Sequence, residues 1–348
     1  MENNKFDNSA LVPNTVERPN LVWKDVEESP FRIYGIFREG KYLRRMPGDV
    51  ATQVSEGVVG LHTNTAGGRV RFCTNSPYIA IHAEMDELGK MDHFPFTGSL
   101  GFDLFAGTQY INTYRTSIDV ENGFEAVVDI EIPVEQLYTI HFPLYSNVKK
   151  LYIGLQEGCT LTAAPDYMLE KPVVYYGSSI TQGGCASRPS NAYQNILSLH
   201  LDCNHINLGF SGNAKGEDAM AEYISQLDMS AFVYDYDHNA PTVEHLQQTH
   251  NRMFQTIRKA NPDLPVLMLT RPKYFITEEE QQRQDVVRAT YEAAVAAGDK
   301  NVYMIPGTDL LIPMARNTGL VDNCHPNDMG FASMALVIEP VLRKILHL

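Results

Sequence analysis

The sequence has no long hydrophobic run and no excess of positive charge, and both absences exclude classes of partner. Its 348 residues contain 28 Lys and Arg against 42 Asp and Glu, which gives a formal net charge of -14. A chain with this charge repels phosphate backbones and anionic membrane surfaces. No apolar stretch has the length that crossing a bilayer requires. We therefore expect neither nucleic acid nor a membrane as a partner, and the oligomeric state is left open.

The first twenty residues also lack the apolar core of a signal peptide, since they read MENNKFDNSALVPNTVERPN. This predicts a cytoplasmic protein. Export after removal of a leader stays open as the alternative.

The sequence has few cysteines, and their spacing shows no CxxC pair. The odd number and the lack of a CxxC pair favour reduced thiols over a disulfide framework or a zinc site, and the five positions are Cys73, Cys159, Cys185, Cys203 and Cys324. His245 and His250 stand five residues apart and so fall on different helix faces, unlike the spacing of four in zinc peptidases. We predict no metal site and no cofactor.

What the N-terminal part does contain is a series of short β-rich runs broken by turn residues. The runs lie at 69–74, 78–85, 99–105, 125–132 and 137–142, and no long helical period appears among them. We predict an all-β sandwich over residues 21–165, after a flexible arm of residues 1–20. We expect the histidines in or beside these strands to be structural rather than ligands, and they are His62, His82, His93 and His141.

After a linker with two prolines the pattern changes to strands that alternate with helices. Strands are predicted at 173–176, 204–208, 231–236, 265–270 and 301–305, and helices at 192–201, 217–227, 243–260, 278–297 and 327–345. This order is typical of a three-layer α/β/α fold with a parallel, flavodoxin-like sheet. We assign residues 166–348 to it.

The stretch VVYYGSSITQGG places two serines directly after the first of these strands. Gly177 permits a sharp exit from the strand, so Ser178 and Ser179 lie at the carboxyl end of the sheet, where ligands bind in such folds. A serine on a strand-to-helix turn presents both its hydroxyl and its backbone N–H to that crevice. The alternative is an ordinary turn made of small polar residues.

Two further strand ends carry suggestive residues. Gly212 lets a backbone N–H approach a ligand closely because it has no Cβ. Asn239 offers a side-chain amide as a donor. An equally supported alternative is that Asn239 caps the helix that begins near Pro241.

The segment VDNCHPND precedes the last predicted helix. Pro326 fits the first helical position, which puts His325 at the mouth of that helix, and Asp322 can fold back onto the histidine. A carboxylate on Nδ1 fixes the tautomer and leaves Nε2 free to accept the proton of a serine. Taken alone, Asp-x-x-His is more simply an N-cap; together with the serine turn, the acid–histidine pair is favoured.

These four blocks together resemble those of the SGNH or GDSL hydrolases, in the same order along residues 171–348. The resemblance implies that Ser179 is the nucleophile, that Asp322 and His325 complete the catalytic triad, and that the N–H of Ser179, Gly212 and Asn239 form the oxyanion hole. The chain departs from the family pattern at Ser178, where an Asp is usual, and in the block Asp237-His238-Asn239-Ala240, where Gly-x-Asn-Asp is usual.

The N-terminal part resembles the β-sandwich that precedes some SGNH hydrolases, through Gly101-Phe102-Asp103-Leu104-Phe105, with Phe105 in place of a tyrosine. The resemblance implies a jelly-roll-like sandwich and a serine esterase that hydrolyses short acyl esters, acetyl above all, on small-molecule or oligosaccharide substrates. The alternatives are a lysophospholipase or thioesterase of the same fold, and a non-catalytic carbohydrate-binding protein.

Overall fold

The computed structural model describes residues 12–348, so residues 1–11 of the predicted N-terminal arm lie outside the described residues. Two β-rich parts follow one another along the chain. The first is a pair of antiparallel sheets, and the second is a parallel sheet between helices. None of the helices within residues 12–348 combines the length and the apolarity needed to cross a bilayer.

Two antiparallel sheets form the N-terminal sandwich. Its strands are β1 (Leu21–Asp25), β2 (Arg32–Tyr34), β3 (Phe37–Glu39), β4 (Tyr42–Arg44), β5 (Arg69–Thr74), β6 (Tyr78–Glu84), β7 (Phe102–Ala106), β8 (Gln109–Tyr114), β9 (Gly123–Asp129), β10 (Gln136–His141), β11 (Lys150–Gln156) and β12 (Leu161–Ala163). One sheet has the order β1-β11-β6-β9 and the other β12-β5-β10-β7-β8, with β2 beside β5 and β3 paired to β4. Apolar side chains such as Phe72, Ile81 and Phe102 are buried in one core, so the predicted sandwich is confirmed.

The sandwich part is not entirely β, which the sequence analysis did not foresee. Three short helices interrupt it: α1 (Gly48–Val54), α2 (Glu56–Leu61) and α3 (Phe96–Ser99). They are too short to show a helical period. Ser55 starts α2 by accepting the N–H of Val58 at 3.2 Å, and Ala51 and Val58 are buried in the core beneath the parallel sheet. These helices are therefore held by tertiary packing on the other half of the chain.

The C-terminal half has the predicted alternation. Its elements are β13 (Leu169–Gly177), α4 (Ser179–Gln182), α5 (Tyr193–Leu201), β14 (Cys203–Gly209), α6 (Asp218–Ser225), β15 (Ala231–Asp235), α7 (Val243–Ala260), β16 (Val266–Leu269), α8 (Glu278–Ala296), β17 (Val302–Ile305), α9 (Gly307–Leu310) and α10 (Asp328–Leu346). All strands run parallel, in the order β14-β13-β15-β16-β17. The predicted fold class is confirmed, and β13 lies where the strand order reverses.

Alternation along β13 separates the two helical layers. Val174 and Tyr176 face one layer, which contains α6, α7 and α8. Val173 and Tyr175 face the other, which contains α5 and α10. Because side chains alternate across a strand, this near-continuous apolar run is what a strand covered on both faces requires.

The sandwich and the parallel sheet share buried contacts. Arg45 is 2% exposed and donates to the carbonyl groups of Gly209 at 2.6 Å and Asn207 at 3.2 Å. Leu144 lies in the same apolar cluster as Val173. The side chain of Gln182 donates to the Leu144 carbonyl at 3.2 Å. The cores on both faces of the parallel sheet therefore include residues of the N-terminal part.

A chain that begins at Asp166 is expected to fold poorly, because it would expose the apolar surface that Leu144, Ala51 and Val58 cover. We expect it to lose the near-ultraviolet circular dichroism of the full chain and to unfold without a sharp transition. Cooperative unfolding of the truncated chain close to the midpoint of the full chain would show that the shared core is dispensable.

Candidate active site

Ser179 lies in a tight turn after β13, and this turn requires a glycine at position 177. β13 ends at Gly177, where an added Cβ would overlap the carboxylate of Asp235. Ser178 caps the short helix α4 by accepting the N–H of Ile180 at 3.1 Å. A serine thus performs the capping role at the position where the family pattern has Asp, since both are good N-caps. Ser179 is the first residue of α4 and lies at the carboxyl edge of the sheet.

His325 and Asp322 meet Ser179 across 146 and 143 residues of sequence. Ser179 Oγ lies 2.9 Å from His325 Nε2, and His325 Nδ1 lies 2.8 Å from Asp322 Oδ2. With the Nδ1 proton directed to the carboxylate, the lone pair of Nε2 points at the serine hydroxyl. The structure thus brings together the three residues predicted to act as nucleophile, base and acid.

Asp322 is not the cap of the last helix. α10 begins at Asp328, and its cap is Asn327, which accepts the N–H groups of Met329 and Gly330. The simpler N-cap interpretation of Asp-x-x-His is therefore wrong, and so is the placement of Pro326 at the first helical position. Asp322 Oδ1 instead accepts the N–H groups of Cys324 at 3.1 Å and of His325 at 2.8 Å.

The charge on Asp322 is favoured by these contacts. Partial burial acts to raise its pKa, but the N–H and the ring of His325, with the N–H of Cys324, outweigh it and lower the pKa. The carboxylate is therefore ionised at neutral pH. An ionised partner on Nδ1 stabilises a protonated His325 ring.

Hydrogen bonds join the serine turn to the histidine loop. The N–H of Cys185 donates to the Pro326 carbonyl at 3.0 Å, and the N–H of Ser187 donates to Asp328 at 2.8 Å. The separation between Ser179 and His325 is therefore set also by hydrogen bonds between the two loops that carry them, rather than by the two side chains alone.

Gly212 lies in an exposed turn after β14. Its φ of 69° is one that favours glycine, and an added Cβ would meet nothing within 4 Å. The requirement for glycine here is thus conformational rather than steric within the chain.

Asn239 lies in the turn after β15 and does not cap the following helix. α7 begins at Val243, and its cap is Thr242, which accepts the N–H of His245 at 3.1 Å. The capping interpretation of Asn239 is therefore wrong. Neither Asn239 nor Gly212 hydrogen-bonds to Ser179 within residues 12–348, and their role as oxyanion donors stays a prediction.

The turn that carries Asn239 is held by two arginines. Arg283 of α8 donates to the carbonyl groups of Asp237 at 2.6 Å and Ala240 at 2.9 Å, on either side of the asparagine. The N–H of Arg271 donates to the Asp237 carboxylate at 3.1 Å. The asparagine is therefore presented on a fixed turn.

The sandwich reaches the site through two residues that the sequence analysis did not select for it. The Tyr145 hydroxyl donates to the Ser179 carbonyl at 3.1 Å. The His93 ring lies 5.6 Å from the His325 ring, centroid to centroid. We expected His93 to be a half-buried structural residue, and it is exposed at the site instead. No local pattern distinguishes either residue, because their position depends on how the two halves pack.

A thiol lies near His325 but is not ionised. Cys185 is buried, and burial together with the charge of Asp322 raises the pKa of its thiol to about 12. A protonated thiol is a weak nucleophile. Ser179, already hydrogen-bonded to His325, is the better candidate.

Beneath the serine turn lies a buried carboxyl group. Asp235 is 1% exposed and accepts the hydroxyl of Thr181, the third residue of α4. Burial, together with the nearby charge of Asp237, raises the pKa of Asp235 to about 8. The group is therefore largely neutral at pH 7.

Two family models match the chain, one for each part. The sequence model of the GDSL-like lipase/acylhydrolase family matches residues 170–343, and the model called GxDLY, the N-terminus of SGNH-hydrolase-type esterases, matches residues 21–161. No curated protein matches the chain.

Several solved structures are similar to the chain. A GDSL-like lipase from Bacteroides ovatus is 28% identical, with a TM-score of 0.84 over 94% of this chain and 98% of the other. A salicylyl-acyltransferase from a tetracycline biosynthetic pathway is 18% identical, with a TM-score of 0.75 over 92% and 96%. An acetyl xylan esterase from the rumen bacterium Butyrivibrio proteoclasticus is 13% identical, with a TM-score of 0.58 over 94% and 99%.

Replacement of Asp235 by Asn is expected to change how stability depends on pH. The folded chain keeps the Asp235 proton up to about pH 8, whereas the unfolded chain releases it near 3.8, the ordinary pKa of an Asp side chain. Between these values the wild type loses stability relative to Asp235→Asn as pH rises, by at most about 1.4 kcal/mol per pH unit. Urea unfolding of both proteins across this range measures the difference. If the difference does not vary with pH, Asp235 is not neutral in the folded state.

Proposed function

The chain belongs to the GDSL-like lipase/acylhydrolase family, and from that premise we propose that it is an esterase that removes short acyl groups, acetyl above all, from carbohydrate. It is a serine ester hydrolase, which removes the non-catalytic alternative. The observation that carries the proposed mechanism is the continuous hydrogen-bonded series from Ser179 Oγ through His325 to Asp322, with distances of 2.9 and 2.8 Å.

In the proposed mechanism, Ser179 Oγ attacks the ester carbonyl while His325 Nε2 takes its proton. The Asp322 carboxylate stabilises the imidazolium that forms. His325 then gives the proton to the departing alcohol oxygen, and an acyl group remains on Ser179. Water attacks this acyl-enzyme with His325 as base, which releases the carboxylic acid and restores the serine. No cofactor is needed at any step.

The negative oxygen of each tetrahedral intermediate needs hydrogen-bond donors. Ser179 is the first residue of α4, so its N–H has no partner within the helix. We assign the other two donors to the N–H of Gly212 and the side-chain amide of Asn239. The support for Asn239 is that another residue caps α7, so its amide is not used for that purpose. Each such donor accounts for about a hundredfold or more in rate.

The carbohydrate substrate is supported by the kinds of protein that share the fold. They include the acetyl xylan esterase described above and a carbohydrate esterase from Clostridium thermocellum solved with cellohexaose, which is 14% identical with a TM-score of 0.57 over 82% of this chain and 94% of the other. At such identities the likeness extends to the fold alone, so the substrate is our proposal. We also propose that the sandwich forms one wall of the acceptor site, because Tyr145 contacts the backbone of Ser179.

A substrate panel tests the proposal. Acetylated glycosides and short aryl esters are expected to be hydrolysed faster than lysophospholipids, long-chain aryl esters and acyl-CoA thioesters. Ser179→Ala is expected to abolish hydrolysis while its thermal unfolding stays close to that of the wild type. Preference for the lysophospholipids or thioesters would replace our substrate assignment, and substantial activity in Ser179→Ala would overturn the mechanism.

A second test isolates Asn239. If its amide bonds to the developing oxyanion, Asn239→Ala lowers kcat by about a hundredfold with little change in KM, because that bond is strongest in the transition state. Thr242→Ala is the matched control, since Thr242 caps the same helix. The control is expected to lose about 1 kcal/mol of stability and keep its kcat. Equal kcat values for the two variants would argue against the oxyanion role.

A further inference from the structure

Three side chains with nitrogen or sulfur ligand atoms converge at the mouth of the site. One ligand atom from each of His93, Cys185 and His325 lies within 4.8 Å of the other two. The residues come from the sandwich, from the loop after α4 and from the loop before α10. Because these residues are far apart in the sequence, no spacing of metal ligands along the chain indicated this site. We propose that this cluster, which we call the HCH cluster, binds Zn²⁺, and that the bound ion inhibits the enzyme.

The hydrogen bonds around the HCH cluster suit a zinc site. His325 Nδ1 is 2.8 Å from Asp322, and His93 Nδ1 is 3.2 Å from Asp92. Each histidine thus pairs Nδ1 with a carboxylate, so Nε2 carries the lone pair that a metal ion can bind; in His325 this nitrogen faces Ser179 Oγ. Carboxylate–histidine pairs of this kind orient the ring and strengthen its bond to the metal. Of the two pairs, Asp322 and His325 are held by backbone N–H groups of their own loop, whereas Asp92 is fully exposed and holds His93 only loosely.

The ligand atoms of the HCH cluster need to move only slightly closer together to bind zinc. Zinc bonds of about 2.0–2.1 Å to nitrogen and 2.3 Å to sulfur place tetrahedral ligands roughly 3.3–3.6 Å apart. Since no two ligand atoms are more than 4.8 Å apart, each pair has to approach by at most about 1.5 Å. His93 is the member that can move, since its side chain is 37% exposed and lies in a turn. Ser179 Oγ or a water molecule completes the fourth position.

The choice of ion follows from the ligands. Two imidazole nitrogens and a thiolate favour zinc over Mg²⁺ or Ca²⁺, which bind oxygen. The thiol proton of Cys185 passes to water when the sulfur binds the ion, because a coordinating thiol is deprotonated by the metal. The result is a site for a borderline-soft cation within an enzyme whose proposed reaction uses none.

Binding and catalysis compete for one lone pair. His325 Nε2 faces Ser179 at 2.9 Å and accepts its proton in the proposed mechanism. A zinc ion on the same nitrogen prevents that transfer. The inhibitory part of the inference therefore rests on the proposed function, whereas the binding part does not.

Inhibition is tested with a short aryl acetate and increasing ZnCl₂. We expect zinc to stop hydrolysis, EDTA to restore it, and MgCl₂ to have no effect. His93→Gln and Cys185→Ser should each raise the inhibitory zinc concentration by about tenfold or more, relative to their own activity without metal. His200→Gln is the matched control, because His200 is an exposed histidine paired with Glu339 at 2.8 Å, away from the cluster. It should be inhibited like the wild type.

Binding is tested separately from activity by adding CoCl₂ to the inactive Ser179→Ala chain. A thiolate-to-cobalt absorption band in the near ultraviolet is expected, and it should be lost on Cys185→Ser and displaced by zinc. If the band fails to form, the zinc site is wrong, whatever the enzyme hydrolyses. If the band forms but the wild-type chain hydrolyses no ester, the site stands and the proposed function fails. Equal zinc inhibition of wild type, His93→Gln and Cys185→Ser would also overturn the proposal.

Discussion

The close packing of α4 over the ends of β13 and β14 is the constraint on which the site depends. An added Cβ would overlap Asp235 at Gly177, and it would overlap the backbone of Gln182 at Gly209. Glycine at both strand ends lets the first turn of α4 lie directly on the sheet. The helix then begins at Ser179, and the Ser179 hydroxyl faces the crevice at the carboxyl edge of the parallel sheet. A protonated Asp235 is tolerated beneath the turn because it accepts the Thr181 hydroxyl, whereas a charge at this depth would be costly.

The sandwich supports this packing from the other side. Leu144 extends the apolar core under β13, and the Tyr145 hydroxyl bonds to the carbonyl of Ser179. Arg45 crosses from the sandwich to the carbonyl groups at the end of β14. Three of its bonds to carbonyl oxygens, including one to Leu61 at 2.8 Å, compensate for burying the guanidinium. The turn that carries Ser179 is therefore built by both halves of the chain.

Local signals in the sequence, together with the family resemblance, were sufficient for much of the fold and for the prediction that Ser179, Asp322 and His325 come together. Helix α7 has the bounds that its apolar period predicted, and Ser179 follows a strand whose β-branched and aromatic run is unmistakable. The errors lie where tertiary contacts decide the outcome. α1 and α2 are too short to show a helical period. The start of α10 was misplaced because the sequence does not reveal that Asp322 contacts the His325 ring and that Asn327 caps the helix. His93 and Tyr145 had no local signal at all.

Asp322 shows how a partly exposed carboxylate can still act with defined geometry. Its side chain is 38% exposed, so its effect on His325 is weakened by solvent. Its two carboxylate oxygens nevertheless accept hydrogen bonds from different groups. Oδ1 accepts two backbone N–H groups of its own loop, which fixes the carboxylate, and Oδ2 meets the ring. The N–H groups of Cys185 and Ser187 also bond to this loop and fix its backbone, while the contact of Nδ1 with Asp322 holds the orientation of the ring. Orientation, more than burial of charge, is thus what this loop contributes.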